Sequence, residues 1–501
     1  MIKETNFKQI PVEEFKTPFE KGLDPKNRWV ILARVIPWEK LAEIYTKNFR
    51  KDYGRPATKT QIIIGAIIIK HFMKSSDEDT IELIRENPYL QYFLGLSGFS
   101  HKPVFHPTLF VKIRKRLGPE VFEKMTGEFF TAVNALKAEQ SKGKKKAATA
   151  DENKDGEEKQ HQGQLILDAT VAPADIKYPT DLDLLNTSRE QSEKLIDRLC
   201  KNLDGIEKPR TYRRVARKEY LSLIKQKKKD HKKIRKAIRK QLNYLRRNIK
   251  SINTLLDICK SRDQLVDYQN LHIFWIIQEV YRQQKQMYDQ IIHQTDDRIV
   301  SVSQPHVRPI VRGKSGKEVE FGAKISASLV DGYIYLDKMS WDAFNENKDL
   351  KKQVENFKER FGFYPEVVIA DKIYGSRENR DYLKEHGIRF SGKVLGRPPV
   401  LTEESAEELK KRRKKFRKEQ GKRNGIEGKF GEGKRKYNLE RIKAKTAMTS
   451  ESWIATIFLV MNLARWLRDY FFVFFQDGLQ VDKLVSFLCL LSLNMGTNYN
   501  L

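Results

Sequence analysis

Three acids stand out by their surroundings. Asp168 closes the run QLILD and Asp371 closes the run EVVIAD. Both runs are short, apolar, rich in β-favouring residues and bounded by polar sequence, which predicts buried strands. Aspartate is disfavoured in strands and costly to bury without a partner. Two strands that each end in one have two explanations. One is capping of the following turn, the commoner case for any single such residue. The other is a shared cation site, because ligands gather at the carboxyl ends of adjacent strands in an open α/β sheet. Glu427 is the third acid, with Arg423 four residues before it and Lys434 seven after it. A helix would bring all three to one face within two turns. Charge balance is the plain reading of an acid among so many cations. The alternative is a carboxylate turned inward on a cation, flanked by basic residues that touch nucleic acid. Three carboxylates suit two Mg²⁺ or Mn²⁺ ions roughly 4 Å apart, which activate a water or a 3′-hydroxyl and stabilise the leaving oxygen of a phosphodiester. Hard oxygen donors favour these ions, and the sequence has no Cys/His ligand spacing to favour zinc.

The elements that would position these acids can be read along the chain. Residues 1–140 predict a bundle of short helices. Thr58 to Met73 carries the apolar run IIIGAIIIKHFM, Ser76 with Asp77, Glu78 and Asp79 opens another helix, and YLQYFLGL and Phe110 to Phe130 follow. Arg55, Lys112, Arg114, Lys115 and Arg116 give this region a DNA-contacting character, against the plain reading of a helical core with solvated charges. Residues 141–163 read as a flexible linker. The strand QLILDAT opens a catalytic domain expected over 164–185 and 301–475. Its later parts are VEFGAKISASLV, an Asp331-Gly332 turn and YIYLDKMSW, which predict a hairpin with a primed turn. A helix over 346–361, the strand EVVIAD, the helix NRDYLKEHG and the strand IRFSGK follow. Residues 476–501 read as a helical tail.

Residues 186–300 interrupt that domain. Ile234, Ile238, Leu242, Leu245, Ile249, Ile252 and Leu256 step by three and four, the narrow seam of a coiled-coil-like helix. Between Thr211 and Lys250 there are 17 Lys or Arg and two acids, Glu219 and Asp230. Such an imbalance predicts a solvated face or contact with a phosphate backbone.

Composition narrows the classes. The chain has 501 residues, 39% hydrophobic, enough for several domains with real cores. Its 96 Lys and Arg against 66 Asp and Glu leave a formal net charge of +30. That excess is the footprint of a polyanion-binding protein, and nucleic acid is the commonest polyanion. Three scattered cysteines, Cys200, Cys259 and Cys489, argue against a disulfide scaffold and for a reducing cytoplasmic setting. The N-terminal residues lack an apolar signal region, and the apolar stretch Trp453 to Phe475 is broken by Arg465, Arg468 and Asp469, so no membrane partner is expected. No G-x-x-x-x-G-K-[ST] loop occurs, so no nucleotide cofactor is expected. Asp175, Asp181 and Asp183 read as structural residues of the loop after the first strand, His161, His306 and His386 as isolated, and Lys393 and Arg397 as solvated loop cations.

Several segments together resemble the DDE transposases of bacterial insertion sequences, in the branch that contains insertion sequences four and five. LILDATVAPADIKYPTDLDLLNTSRE resembles the segment around that family's first Asp, and RPIVRGKSGKEVEFGAKISAS the strand pair after it. VVIADKIYGSRENRDYL resembles the second-Asp segment, usually Asp-x-x-Tyr-Gly. RNGIEGKFGEGK resembles the block with the catalytic Glu, where an Arg four before and a Lys seven after recur. GRPATKTQIIIGAIIIKHF and ENPYLQYFLGLSGF resemble the N-terminal domain. The likeness covers roughly residues 50–185 and 305–465. It implies an α/β fold: an RNase H-like catalytic domain with the long helical insertion, plus an N-terminal helical DNA-binding domain. It implies that Asp168, Asp371 and Glu427 are catalytic and bind two Mg²⁺ or Mn²⁺ ions. It implies DNA contacts by Arg423, Lys434 and Tyr374; Lys372 beside Asp371 and Arg55 of the N-terminal region are expected to add to them. The implied partners are terminal inverted repeats and target DNA, held by a homodimer in the bacterial cytoplasm near the nucleoid. Two departures are visible. Gln420 stands where the related motif has a Tyr seven residues before the Glu, and the insertion widens the spacing between the two aspartates. The remaining readings are an RNase H-like nuclease and a transposase-derived DNA-binding protein without chemistry.

Overall fold

The computed structural model describes residues 9–17, 22–47, 58–145, 161–203, 205–228, 230–261, 266–314, 317–392 and 403–494. The N-terminal part is helical: α1 (Arg28–Val35), α2 (Trp38–Thr46), α3 (Thr60–Met73), α4 (Asp77–Glu86), α5 (Pro88–Phe93), α6 (Leu109–Arg116) and α7 (Pro119–Lys145). The sequence places the caps. Asn27 accepts from the Trp29 amide, Ser76 from the Asp79 amide, and Asn87 from the Tyr89 and Leu90 amides. Pro88 at the first turn of α5 fits because that position needs no amide donor. Arg55 lies outside the described residues.

A mixed sheet follows. Its strands are β1 (Gln164–Pro173), β2 (Arg308–Lys314), β3 (Lys317–Val330), β4 (Tyr333–Ser340), β5 (Val367–Ile369) and β6 (Arg389–Ser391). The order is β2-β3-β1-β5-β6, with β4 also paired to β3. β3 runs antiparallel to β1, β2 and β4, while β1, β5 and β6 are parallel. The turn between β3 and β4 has Asp331 at φ 49° and Gly332 at φ 84°. Those left-handed values are the ones a two-residue primed turn requires.

The sheet is buried on both faces, and the period of two in β1 divides its residues between them. Leu165 and Leu167 join Val368, Ala370 and Val330 under α12 (Leu350–Phe361) and α13 (Arg377–Glu385). Ile166 joins Val367, Ile369 and Leu329 on the opposite face, beneath α14 (Glu403–Tyr437) and α15 (Ala447–Asn494). That second cluster extends without a break into the N-terminal helices, through Phe110, Phe129 and Trp453 to Trp466. The N-terminal helices and the sheet therefore share a core. Helix Ala447–Phe472 is long and apolar enough to cross a membrane by composition, yet most of it is buried inside the protein.

Among the described residues the insertion forms four helices, α8 (Asp181–Lys201), α9 (Arg213–Ile224), α10 (His231–Ser261) and α11 (Tyr268–Gln290). The seam of α10 is spent within the chain. Leu242 and Leu245 meet Leu185 of α8 and Ile277 of α11, and Ile252 and Leu255 meet Leu195, Ile196, Leu199 and Phe274. Of the two readings open for this segment, a helical hairpin or a coiled coil, the seam here forms the interior of an intramolecular bundle. Its root is anchored by polar contacts. Thr180 caps α8 by accepting from the Asp183 amide, and Asp181 accepts from Arg298 and Gln284. Asp181 and Asp183 thus lie in the first turn of a helix, not in the loop after β1, while Asp175 in that loop pairs with Arg441 and Lys445.

Candidate active site at the strand ends

The register of β1 and β5 sets the two aspartates level. Ile166 pairs with Ile369 in the parallel ladder. Asp168 and Asp371 each follow that pair by two residues, so both leave the same level of neighbouring strands. Asp168 does not end its strand, however. β1 continues to Pro173 because β3 is long enough to keep pairing with it, and Asp168 lies opposite Ala327. Parity puts Asp168 on the face of Ile166, which is the α14 face.

Asp371 caps the 3₁₀ turn Lys372–Tyr374, its Oδ1 accepting from the Lys372 amide at 2.7 Å. The turn-capping explanation thus holds for this residue, and it leaves the carboxylate half exposed toward α14. α14 packs over one face of the sheet and is tied to it by a run of side chains. Glu419 accepts two hydrogen bonds from Arg389 on β6, at 2.6 and 2.9 Å. Gln420 Nε2 donates to the Ser391 carbonyl at 2.7 Å, and Lys422 Nζ to Gln164 Oε1 of β1 at 2.8 Å. Gln420, at the position where the related motif has a Tyr, therefore ties the helix to the edge strand. Ile426 is fully buried on the sheet, and Gly425 lets the helix approach Leu329.

Arg423 joins the acids. Its Nη2 donates to Glu427 Oε1 at 2.8 Å, and its Nη1 lies 3.0 Å from Asp371 Oδ1. Burial works against the Arg423 charge, but Glu427, Asp371 and Asp168 outweigh it and raise its pKa. Asp168 is the most buried of the three acids. Burial raises its carboxyl above the ordinary range, against the Ala169 amide and the Arg423 charge, and Glu346 and Glu427 push the same way as burial. Among the described residues, no three His, Cys, Asp or Glu side chains stand close enough together to hold an ion. The donor chemistry nonetheless fits a hard cation: two carboxylates already share one positive charge, with the third in its field, and all offer oxygen.

The other expected contact residues divide. Lys372 is exposed beside Asp371, and Lys434 is partly exposed on α14. Tyr374 is fully buried with the core of the α12 and α13 face, so its ring does not reach solvent, and burial raises its phenol well above the usual value. Expected as a DNA contact, it is a core residue. Its carbonyl accepts from Asn379, which also bonds the Asn347 carbonyl. Arg114 is also buried, with its guanidinium on Asp77 at 2.6 and 3.0 Å, which removes it from the DNA-contact candidates of the N-terminal helices. Lys112 and Lys115 remain exposed on α6, and Lys393 and Arg397 lie outside the described residues. His161 bonds the His386 carbonyl, and His306 packs edge-on against Trp341, both structural settings.

Glu346 is the residue that sequence reasoning passed over. It sits in the 3₁₀ turn Glu346–Asp349 before α12, pairs with Lys324 of β3 at 3.0 Å, and acts on both Asp168 and Tyr374. Nothing in NENKDLKK separates it from an ordinary amphipathic helix start.

Comparison with known proteins covers both ends of this arrangement. Residues 368–464, which include the last two residues of β5, Asp371 and all of Arg423 to Lys434, match the family described as Transposase DDE domain. Residues 17–116, in the N-terminal helices, match the family described as Transposase domain (DUF772). A Rhizobium meliloti chain named "Uncharacterized protein ORF8 in nfe locus" is 29% identical over 204 residues, which is 41% of this chain and 87% of that one. The two family matches, one at the N-terminal helices and one across the strand-end site, indicate a DDE-type insertion-sequence transposase and support a transposase function for this chain.

Proposed function

We propose that the chain binds the ends of its element, cuts the phosphodiester there and joins the resulting 3′-hydroxyl to target DNA. The observation that supports this reading is Arg423, which donates to Glu427 and lies 3.0 Å from Asp371, with Asp168 within the reach of its charge. DDE transposases generally use divalent metal ions, and Asp168, Asp371 and Glu427 are the residues that would hold Mg²⁺ or Mn²⁺ here. Two such ions, when bound, supply activation of a water or 3′-hydroxyl and stabilisation of the leaving oxygen.

The chain's own residues then have separate tasks. Asp168 is fixed by the β1–β3 ladder, so its position does not depend on loop motion. Asp371 is fixed by the turn it caps. Glu427 is fixed by α14, which Glu419, Gln420 and Lys422 bind to the sheet. Arg423, Lys434 and Lys372 offer positive charge to the DNA backbone beside these acids, and Arg55 is assigned the same task from the N-terminal region. Positioning together with electrostatic stabilisation accounts for the chemistry, without a covalent protein intermediate. The sheet with helices on both faces is read as RNase H-like, the N-terminal helices as a DNA-binding unit, and the active assembly as a homodimer that holds two ends.

The test is end cleavage of labelled DNA carrying the sequences that flank the gene, with Mg²⁺. Nicking by the wild type, and none by Glu427→Gln, supports the reading. Equal behaviour of the two proteins overturns it.

A further inference from the structure

The insertion carries a surface that the strand-end site does not use. α10 buries Leu242, Leu245, Ile252 and Leu255 against α8 and α11. At 100° per residue, Lys232, Lys236, Arg239, Arg246 and Lys250 fall opposite that seam, within roughly 80° of one another. All five are exposed, and none has an acidic partner among the described residues. Lys233 and Lys260 of the same helix are exposed too, to either side of this stripe, whereas three other cations are engaged internally. Lys240 pairs with Glu219, Arg235 bonds the Tyr288 carbonyl and covers its ring, and Arg247 lies over Tyr212 and Tyr244. The five thus form one stripe along the outer face of a broadly basic helix. Lys225, Lys227 and Lys228, which precede the helix in the chain, are exposed as well.

The stripe has the dimensions and composition of a duplex contact. From Lys232 to Lys250 the helix rises about 27 Å, comparable with about eight base pairs of DNA at 3.4 Å each. No large apolar side chain of α10 is exposed. A protein partner would call for an apolar centre, and lysine is depleted at such interfaces. Lysine ammonium groups on flexible stems act as point charges on phosphate and carry no base code.

We infer that the outer face of α10 is a second, sequence-independent docking surface for duplex DNA, separate from the strand-end site. The choice of DNA as the polyanion rests on the transposase reading. The surface holds the duplex by counterion release, so its contribution grows as salt falls.

The experiment measures full-length protein binding to a labelled 30-base-pair duplex of arbitrary sequence, across a range of salt. The variant combines Lys232→Gln, Lys236→Gln, Arg239→Gln and Arg246→Gln. Each phosphate contact contributes about 0.9 to the slope of log affinity against log salt. The wild-type slope is expected to be steeper than the variant's by about three to four. A charge-preserving set, Lys232→Arg, Lys236→Arg, Arg239→Lys and Arg246→Lys, is expected to keep the wild-type slope. Equal slopes and affinities for wild type and the glutamine variant overturn the inference. So does loss of binding in the charge-preserving set, which would make the effect one of folding. End cleavage by the wild type is scored separately. Cleavage with unchanged slopes defeats only the docking surface, and a changed slope without cleavage defeats only the proposed chemistry.

Discussion

Arg423 donates to Glu427, one turn later on the same helix, at 2.8 Å, and the other arm of its guanidinium lies 3.0 Å from Asp371. One cation therefore holds two carboxylates that a metal site would need. A metal held by these acids would compete with Arg423 for the same oxygens, and a DNA phosphate would offer Arg423 an alternative partner. Arg423→Gln is expected to bind Mn²⁺ about tenfold more tightly than wild type in the absence of DNA, and to hold the element ends more weakly. Mn²⁺ titration followed by electron paramagnetic resonance reads the first effect without any turnover. Unchanged Mn²⁺ affinity would show that Arg423 does not block the site.

The three carboxylates call for single changes that keep shape. Asp168→Asn, Asp371→Asn and Glu427→Gln are each expected to lower end cleavage on the order of 10²–10³-fold, the usual cost of removing a group that stabilises developing charge. Binding to the same DNA should survive. Asp371→Asn should have a second effect, because an amide still caps the turn Lys372–Tyr374 but no longer attracts Arg423. Cleavage that persists in any one variant removes that residue from the site.

What the sequence made legible was local. The strands at 164 and 367, the primed turn at Asp331-Gly332 and the helix around Glu427 each have a pattern of their own, and each is present. The level placement of Asp168 and Asp371 followed less directly. It needs the pairing of Ile166 with Ile369, which no single segment encodes. The extension of β1 beyond Asp168 was hidden for a similar reason, since it depends on the length of β3. Burial of charged and aromatic residues was the least legible feature. Arg114 reads as a surface cation until Asp77, from a different helix, is placed beside it. Tyr374 follows the exposed Asp371 by three residues, yet the 3₁₀ turn between them places its ring in the core. The seam of α10 gave its period correctly, but a period does not say whether the partner helix belongs to the same chain.

Asp77 shows how such a hidden contact bears on stability. It opens α4, takes Arg114 on both oxygens, and meets Lys70 at 2.9 Å, with Trp453 of α15 beside both cations. Burial raises its carboxyl, but Arg114 and Lys70 outweigh burial and the net shift is downward. A carboxyl with a folded pKa below its unfolded value stabilises the fold above about pH 4 and loses that contribution as pH falls through the folded pKa. Asp77→Asn is expected to cost about 2–3 kcal/mol near pH 7, since it leaves two largely buried cations without their counter-charge. The gap between wild type and variant should close in urea titrations taken below pH 4. A gap that stays constant with pH would assign the loss to packing.

The insertion offers a test of whether its seam serves the chain or a partner. Leu245 is fully buried, with Leu185, Leu242 and Ile277 around it, all from the same chain. Leu245→Ala removes buried volume from an intramolecular core, and such changes cost about 2–5 kcal/mol where the site cannot collapse. The loss is expected to fall on the insertion, as faster amide hydrogen exchange in α8, α10 and α11, while the sheet keeps its protection. Oligomeric state, measured by light scattering across a range of protein concentration, is expected to be the same as for wild type. A seam that joined two copies would behave otherwise: the variant would dissociate, and its exchange would depend on concentration. The contacts of Leu185 and Ile277 with Leu245 predict neither.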